Sequence, residues 1–220
     1  MSGRVLCVHG YGQAGSSLRS KSGGLRSESK RLCEWTFVDA PHVLSDADES
    51  LEAAEHGRTW WRWRSGPLGA KEYDRESLES SFEALRVVCE TDGPFDGLLG
   101  FSQGACLVAM LAYRQEQGTL PACMRFRFAA LFSGFLPHDP TLARPMLEAK
   151  PATIASFHCF GAQDSIISRE QSVEAIGLFE PARCCSVEHE SGHLVPSSKF
   201  VRTAFRDFLS RQLDMPASPS

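Results

Sequence analysis

The chain has 220 residues, 42% of them hydrophobic and 23% charged, and carries a formal net charge of −4 at pH 7. That length supports one sizeable core, expected over residues 1–213 with a frayed tail at 214–220. The negative balance speaks against a general nucleic-acid binder or a protein held on anionic membranes, both of which need a basic face, and leaves small neutral substrates open.

Arg4 to His9 reads as a buried strand, followed by the flexible loop Gly10-Tyr11-Gly12-Gln13. Its apolar run is too short for a signal-peptide core, and no later run approaches the roughly 18 apolar residues of a membrane helix. The chain is therefore expected in the cytoplasm or the nucleus, without integral membrane association. Cys7, Cys33, Cys89, Cys106, Cys123, Cys159, Cys184 and Cys185 form no C-x-x-C pair and sit mostly in apolar runs, so buried reduced thiols are expected. Leu18, Leu25 and Leu32 recur at a seven-residue spacing, as on one helix face weakened by Gly23 and Gly24. Trp35 to Val38 is a second strand.

Periodicity fails from Val43 to Gly69, a stretch read as an insertion lying over the sheet. Its tryptophans Trp60, Trp61 and Trp63 fit two roles equally, a plug at the end of the core or an apolar wall for an acyl chain. Leu78, Phe82, Leu85 and Cys89 mark an amphipathic helix stopped by Thr91-Asp-Gly-Pro94. An elbow strand and helix follow, then a strand over Phe126 to Phe132 with the loop Ser133-Gly-Phe-Leu-Pro137. Thr141 to Lys150 reads as a polar connector. A strand at Ala155 to Phe160 precedes Gly161-Ala-Gln-Asp164, a helix around Val173 and Ile176, a last strand at Arg183 to Glu188, and a closing helix carrying Phe200, Val201, Ala204, Phe205, Phe208 and Leu209. Strands alternating with helices predict an α/β fold, a mainly parallel twisted sheet with helices on both faces and a short aromatic insertion, with reactive groups at the carboxyl ends of the strands.

The chemistry centres on Gly100-Phe101-Ser102-Gln103-Gly104, which fits G-x-S-x-G between an apolar strand and a helix. Such an elbow projects the serine hydroxyl above the sheet edge. A serine is a poor nucleophile unless a base lies within hydrogen-bond reach and a third group orients that base. Ser102, Asp164 and His193 each follow a predicted strand, in the α/β-hydrolase order. Ser102 is then the nucleophile, His193 the base and Asp164 the acid, with backbone N–H groups of Gln103 and Tyr11 as the oxyanion hole. Trp60, Trp61, Phe132 and Phe135 are the candidate substrate wall. His9 shapes the first loop, His158 is a core residue, and Ser133 lacks the elbow frame and is expected in the pocket wall.

His189-Glu190-Ser191-Gly192-His193 matches H-E-x-x-H, the zinc-binding pattern of metallohydrolases. That chemistry needs a helix to put both histidines on one face. Ser191, Gly192 and Pro196 oppose one, so the match is read as a loop and no metal or other cofactor is expected. A hydrolase fold retained as an inactive binding module is a further alternative, since fold does not guarantee activity.

Val8-His9-Gly10-Tyr11, Gly57-Arg-Thr-Trp60-Trp61, Gly93-Pro-Phe-Asp-Gly-Leu-Leu-Gly-Phe-Ser-Gln-Gly-Ala105, Phe132-Ser-Gly-Phe135, Phe160-Gly-Ala-Gln-Asp164 and Ser191-Gly192-His193 together resemble the FSH family of serine hydrolases. The resemblance spans nearly the whole chain. It implies a compact α/β-hydrolase with esterase activity, a triad on Ser102, Asp164 and His193, and no metal. The chain departs from the family in carrying Ser191 before Gly192-His193, where Gly-Gly-His is frequent, and Gly12 where a bulkier residue is common. The similar acyl-protein thioesterases and phospholipase-like carboxylesterases share Gly-Phe-Ser-Gln-Gly, so small-molecule esters and thioesters both remain candidate substrates. Oligomeric state is not encoded in these motifs.

Overall fold

A computed structural model describes residues 2–44, 57–65 and 71–213. The acidic part of the expected insertion and the expected tail at 214–220 lie outside the described residues.

The first strand, β1 (Gly3–Val8), is followed by α1 (Gly15–Lys21), α2 (Gly23–Ser29) and β2 (Cys33–Val38). Where the leucine spacing predicts one helix face, two short helices meet at Ser22. Leu18 and Leu25 are buried one on each, and Leu32 lies past the end of α2. The Ser22 hydroxyl donates to the Leu18 carbonyl at 2.7 Å, satisfying a helix-end acceptor at the break.

Next come β3 (His42–Val43) and β4 (Arg58–Thr59), paired antiparallel, and β5 (Trp63–Ser65) and β6 (Lys71–Tyr73), paired likewise. Helix α3 (Arg75–Asp92) starts at Asp74, whose carboxylate accepts from the Glu76 amide at 3.1 Å. It buries Leu78, Phe82, Leu85 and Cys89, the face that the spacing predicts.

The second half alternates regularly: β7 (Gly97–Phe101), α4 (Gln103–Glu116), β8 (Phe128–Phe132), α5 (Pro140–Glu148), β9 (Ala155–Gly161), α6 (Arg169–Ile176), β10 (Cys184–His189) and α7 (Lys199–Leu213). Helix α5 replaces the expected polar connector. Asp139 caps it, Pro140 opens it, and Met146 is its one buried residue, too little apolar surface to register as a periodic pattern. Helix α6 forms where expected but turned differently: Ala175 and Ser172 are buried, while Val173 is 44% exposed.

Six parallel strands form the central sheet in the order β10-β9-β8-β7-β1-β2. Alternation along each strand divides the core in two. Leu6, Val8, Leu98, Ala129 and Leu131 pack with α3, α4 and Met146 of α5, while Val5, Cys7, Leu99, Phe101, Phe128, Ala130 and Phe132 pack with Leu18, Leu25 and the Val201, Phe205, Phe208 and Leu209 face of α7. All eight cysteines are free, five of them buried and Cys123, Cys184 and Cys185 half-buried. Among the described residues no helix is long and apolar enough to cross a membrane.

The chain leaves β1 toward β2 on one side and later fills β7 to β10 on the other. The topological switch point therefore lies between β1 and β7, where the carboxyl-end loops diverge and leave a crevice. The two loops flanking that crevice are Gly10–Gln13 and the Ser102 elbow.

Candidate active site

Ser102 sits between β7 and α4 with φ 52° and ψ −117°, a conformation that side chains rarely adopt and that costs on the order of 1–3 kcal/mol. The bend is held from both ends. The Ser102 amide donates to the Phe132 carbonyl at 2.9 Å, and its carbonyl accepts from Ala105 at 2.9 Å and Cys106 at 3.1 Å. Its glycines are required by contact: a Cβ on Gly100 would fall 2.3 Å from the Gly104 carbonyl oxygen, and one on Gly104 would fall 2.3 Å from that of Val8. The first turn of α4 is thus pressed against the end of β1.

The first loop is held as tightly. His9 is fully buried; its Nδ1 donates to the Gly10 carbonyl at 2.8 Å and its Nε2 accepts from the Ala40 amide at 3.0 Å, so the neutral ring satisfies both contacts. Burial lowers its pKa to about 4. The Trp60 indole donates to the His9 carbonyl at 2.7 Å. Gly12 adopts φ 67° and donates its amide to the Arg58 carbonyl at 2.9 Å, which accounts for a glycine there. A Cβ on Gly10 would lie 3.3 Å from the Ser102 Cβ, so loop and elbow are neighbours. Among the described residues, the amides of Tyr11 and Gln103 have no hydrogen-bond acceptor.

The Gln103 side chain ties these parts together. Its Oε1 accepts from the Trp60 amide at 3.0 Å, and its Nε2 donates at 2.8 Å to the Thr59 hydroxyl, which in turn donates to the Trp61 carbonyl at 2.7 Å. Ser81 on α3 completes the clamp by donating to the Trp60 carbonyl. The sequence pattern singles out Gln103 for its backbone; its side chain is what fastens the tryptophan segment to the elbow.

Asp164, in the turn after β9, has a fully buried side chain. Its Oδ1 accepts from the amides of Ile166 at 3.0 Å and Ile167 at 2.9 Å, and its Oδ2 accepts from His193 Nδ1 at 2.7 Å and the Ser133 hydroxyl at 3.0 Å. Burial opposes ionisation, but the Ile167, His193 and Ile166 donors outweigh it and hold the carboxyl below the ordinary aspartate range. With Nδ1 donating to the carboxylate, His193 presents Nε2 as its basic nitrogen. Its ring lies 4.9 Å from that of Phe101, the residue before the elbow serine. No described residue hydrogen-bonds to the Ser102 hydroxyl.

Several expectations are corrected here. Ser133 is not part of an accessible wall: it is fully buried at φ 48° and bonds Asp164. Trp60, Trp61 and Phe132 have no exposed surface. Phe132 points to the α7 side of the sheet, 5.8 Å from the ring of Phe205, because strand alternation assigns it there. Trp61 stacks on Tyr73 at 4.7 Å, and the tryptophans plug the core on the α4 side. Phe135, 6% exposed, stacks with His138 at 5.1 Å. Close in sequence to Asp164 and His193, the apolar side chains of Ile166 and Leu194 reach the surface, 54% and 41% exposed.

The H-E-x-x-H match does not form a helix. His189 ends β10, its Nδ1 accepts from the Ser191 amide at 3.3 Å, and residues 190–196 form a loop that brings His193 to Asp164. A groove of about 400 Å³ between α2 and α7 opens at the amino ends of the strands, away from Ser102, and its Arg206 is engaged by Glu28 and Asp207.

An all-parallel sheet covered on both faces, with a serine on a strained strand-to-helix bend at its switch point, defines an α/β-hydrolase. The chain belongs to the serine hydrolase (FSH1) family, whose profile matches residues 1–205, in agreement with the resemblance in its motifs. It is 38% identical to Esterase OVCA2 of Danio rerio, over 94% of this chain and 96% of that protein, and 35% identical to Esterase C25G4.2 of Caenorhabditis elegans, over 96% and 94%. In fold it is similar to the crystal structure of Zea mays acyl-protein thioesterase 2, with a TM-score of 0.69, 20% identity and coverage of 96% of this chain and 94% of that one.

Replacing Gln103 with alanine strands the buried Trp60 amide and removes a partner of the Thr59 hydroxyl. A loss of about 1–3 kcal/mol is expected, read as a lower urea midpoint at unchanged m-value. An unchanged midpoint would show that the clamp contributes nothing to stability.

Proposed function

We propose that this serine hydrolase is a carboxylesterase acting through an acyl-enzyme on Ser102. The observation that carries the reading is the 2.7 Å hydrogen bond from His193 to the buried Asp164 carboxylate, at the same sheet edge as the strained Ser102 bend. Ser102 Oγ attacks the acyl carbonyl while His193 Nε2 takes its proton; Asp164 stabilises the resulting imidazolium. The tetrahedral oxyanion accepts from the Tyr11 and Gln103 amides, a role supported by their lack of other acceptors among the described residues. His193 returns the proton to the leaving alcohol. Water, deprotonated by the same histidine, then cleaves the acyl-enzyme and regenerates Ser102. The mechanism requires Ser102 Oγ to meet His193 Nε2 in the substrate complex, where catalytic hydrogen bonds that are long in the free enzyme commonly tighten.

The names of the curated relatives support ester substrates. Ile166 and Leu194, exposed and close in sequence to the acid and the base, favour a hydrophobic acyl or alkyl chain. The same triad would serve a thioester, whose thiolate leaves more readily than an alkoxide.

Asp164→Asn should lower kcat by about 10⁴ with KM little changed, because it destroys the tautomer that leaves Nε2 basic. A loss under ten-fold would assign the orienting acid to another residue. In a series of p-nitrophenyl esters run beside matched thioesters, kcat/KM should rise from acetate toward longer chains. A maximum at acetate would remove the hydrophobic-chain reading.

A further inference from the structure

We infer that Ser133 is a positioning residue of the acid–base pair, its hydroxyl fixing the Asp164 oxygen that receives His193. The inference rests on the triad proposed above and extends it to a fourth side chain.

Ser133 follows β8, the strand next to the elbow strand, and its placement carries two costs. It stands at φ 48°, where a side chain is strained, and its hydroxyl is fully removed from water. Glycine would avoid both. The hydroxyl has one described partner, Asp164 Oδ2 at 3.0 Å, and the strained backbone is what aims it there, with the Ser133 amide anchored on the Cys159 carbonyl at 2.8 Å.

The carboxylate is then saturated. Two amides hold Oδ1, while His193 and Ser133 share Oδ2, filling about four acceptor positions. Rotation of the carboxyl plane breaks the Ser133 bond, so the hydroxyl sets the direction from which Oδ2 meets the imidazole. It also draws on the charge of Oδ2 and tempers its hold on the imidazolium. Other ionisable groups nearby are His189 at the end of β10, which interacts electrostatically with Asp164, the adjoining Glu190, and Lys21, whose ammonium lies 5.9 Å from the centre of the Phe101 ring that packs on His193. None of them has a described hydrogen bond to Oδ2.

The test is Ser133→Ala, with Ser133→Gly as a second variant that accepts the backbone angle without strain. Each is checked for folding by its melting curve and assayed on a p-nitrophenyl ester across pH. Loss of orientation should reduce kcat by about ten-fold with KM unchanged. Loss of the competing donor should move the acid limb of kcat/KM to higher pH, so that activity falls more at pH 6 than at pH 8. In an Asp164→Asn background, removal of the hydroxyl should cost nothing further, because the residue acts through that carboxylate. Folded variants with wild-type kcat and pH profile would overturn the inference, as would a loss that persists undiminished beside Asp164→Asn. Fluorophosphonate labelling of the wild type separates the two levels: an enzyme labelled at Ser102 but indifferent to Ser133 sinks only this inference, whereas an unlabelled Ser102 sinks the proposed triad.

Discussion

A Cβ on Gly104 would lie 2.3 Å from the carbonyl oxygen of Val8 and 2.5 Å from that of His9, so helix α4 can begin against the end of β1 only because residue 104 has no side chain. That approach sets the Gly10–Gln13 loop beside Ser102, at the crevice between β1 and β7. Gly100 serves the same bend from the strand side. Backbone proximity is therefore the condition on which the proposed chemistry rests, and the strained φ of Ser102 follows from turning a chain this sharply between a buried strand and a buried helix.

Around that contact the protein spends polar side chains on bracing. His9, Trp60, Gln103, Thr59 and Ser81 form one buried set of hydrogen bonds joining the first loop, the elbow and α3. Asp164, Ser133 and His193 form a second on the far side of Ser102. Each set leaves its central groups one low-energy arrangement, because a buried donor or acceptor that loses its partner is costly. Ser102, Asp164 and His193 are thus held by hydrogen-bonded neighbours at the carboxyl ends of the strands.

Much of this was legible in the sequence because strand alternation, helix periodicity and the elbow pattern are local signals. The parallel sheet and the order of its parts follow from them, and Ser102, Asp164 and His193 stand out because each lies in the loop or bend that follows a strand. What could not be read is where a side chain turns once the backbone bends. Phe132 has the composition of a pocket wall, yet strand parity commits it to the α7 face. Trp60 and Trp61 fit a plug or a wall equally, and Trp60 is fixed in the core by donating to Gln103 and His9, both over forty positions away. Helix α5 leaves no periodic signal because it buries almost nothing, and Ser133 reads as a pocket-wall residue because its partner Asp164 lies in the turn after another strand. One signal was available: Phe132-Ser133-Gly134 repeats, on the neighbouring strand, the position that Ser102 holds after Phe101.

The most direct measurement of the account is to trap the enzyme with a fluorophosphonate or a slowly hydrolysed ester and map the modified peptide by mass spectrometry. A single adduct on Ser102, absent in Ser102→Ala, is the predicted result. An adduct on another residue, or turnover that survives Ser102→Ala unchanged, would contradict it.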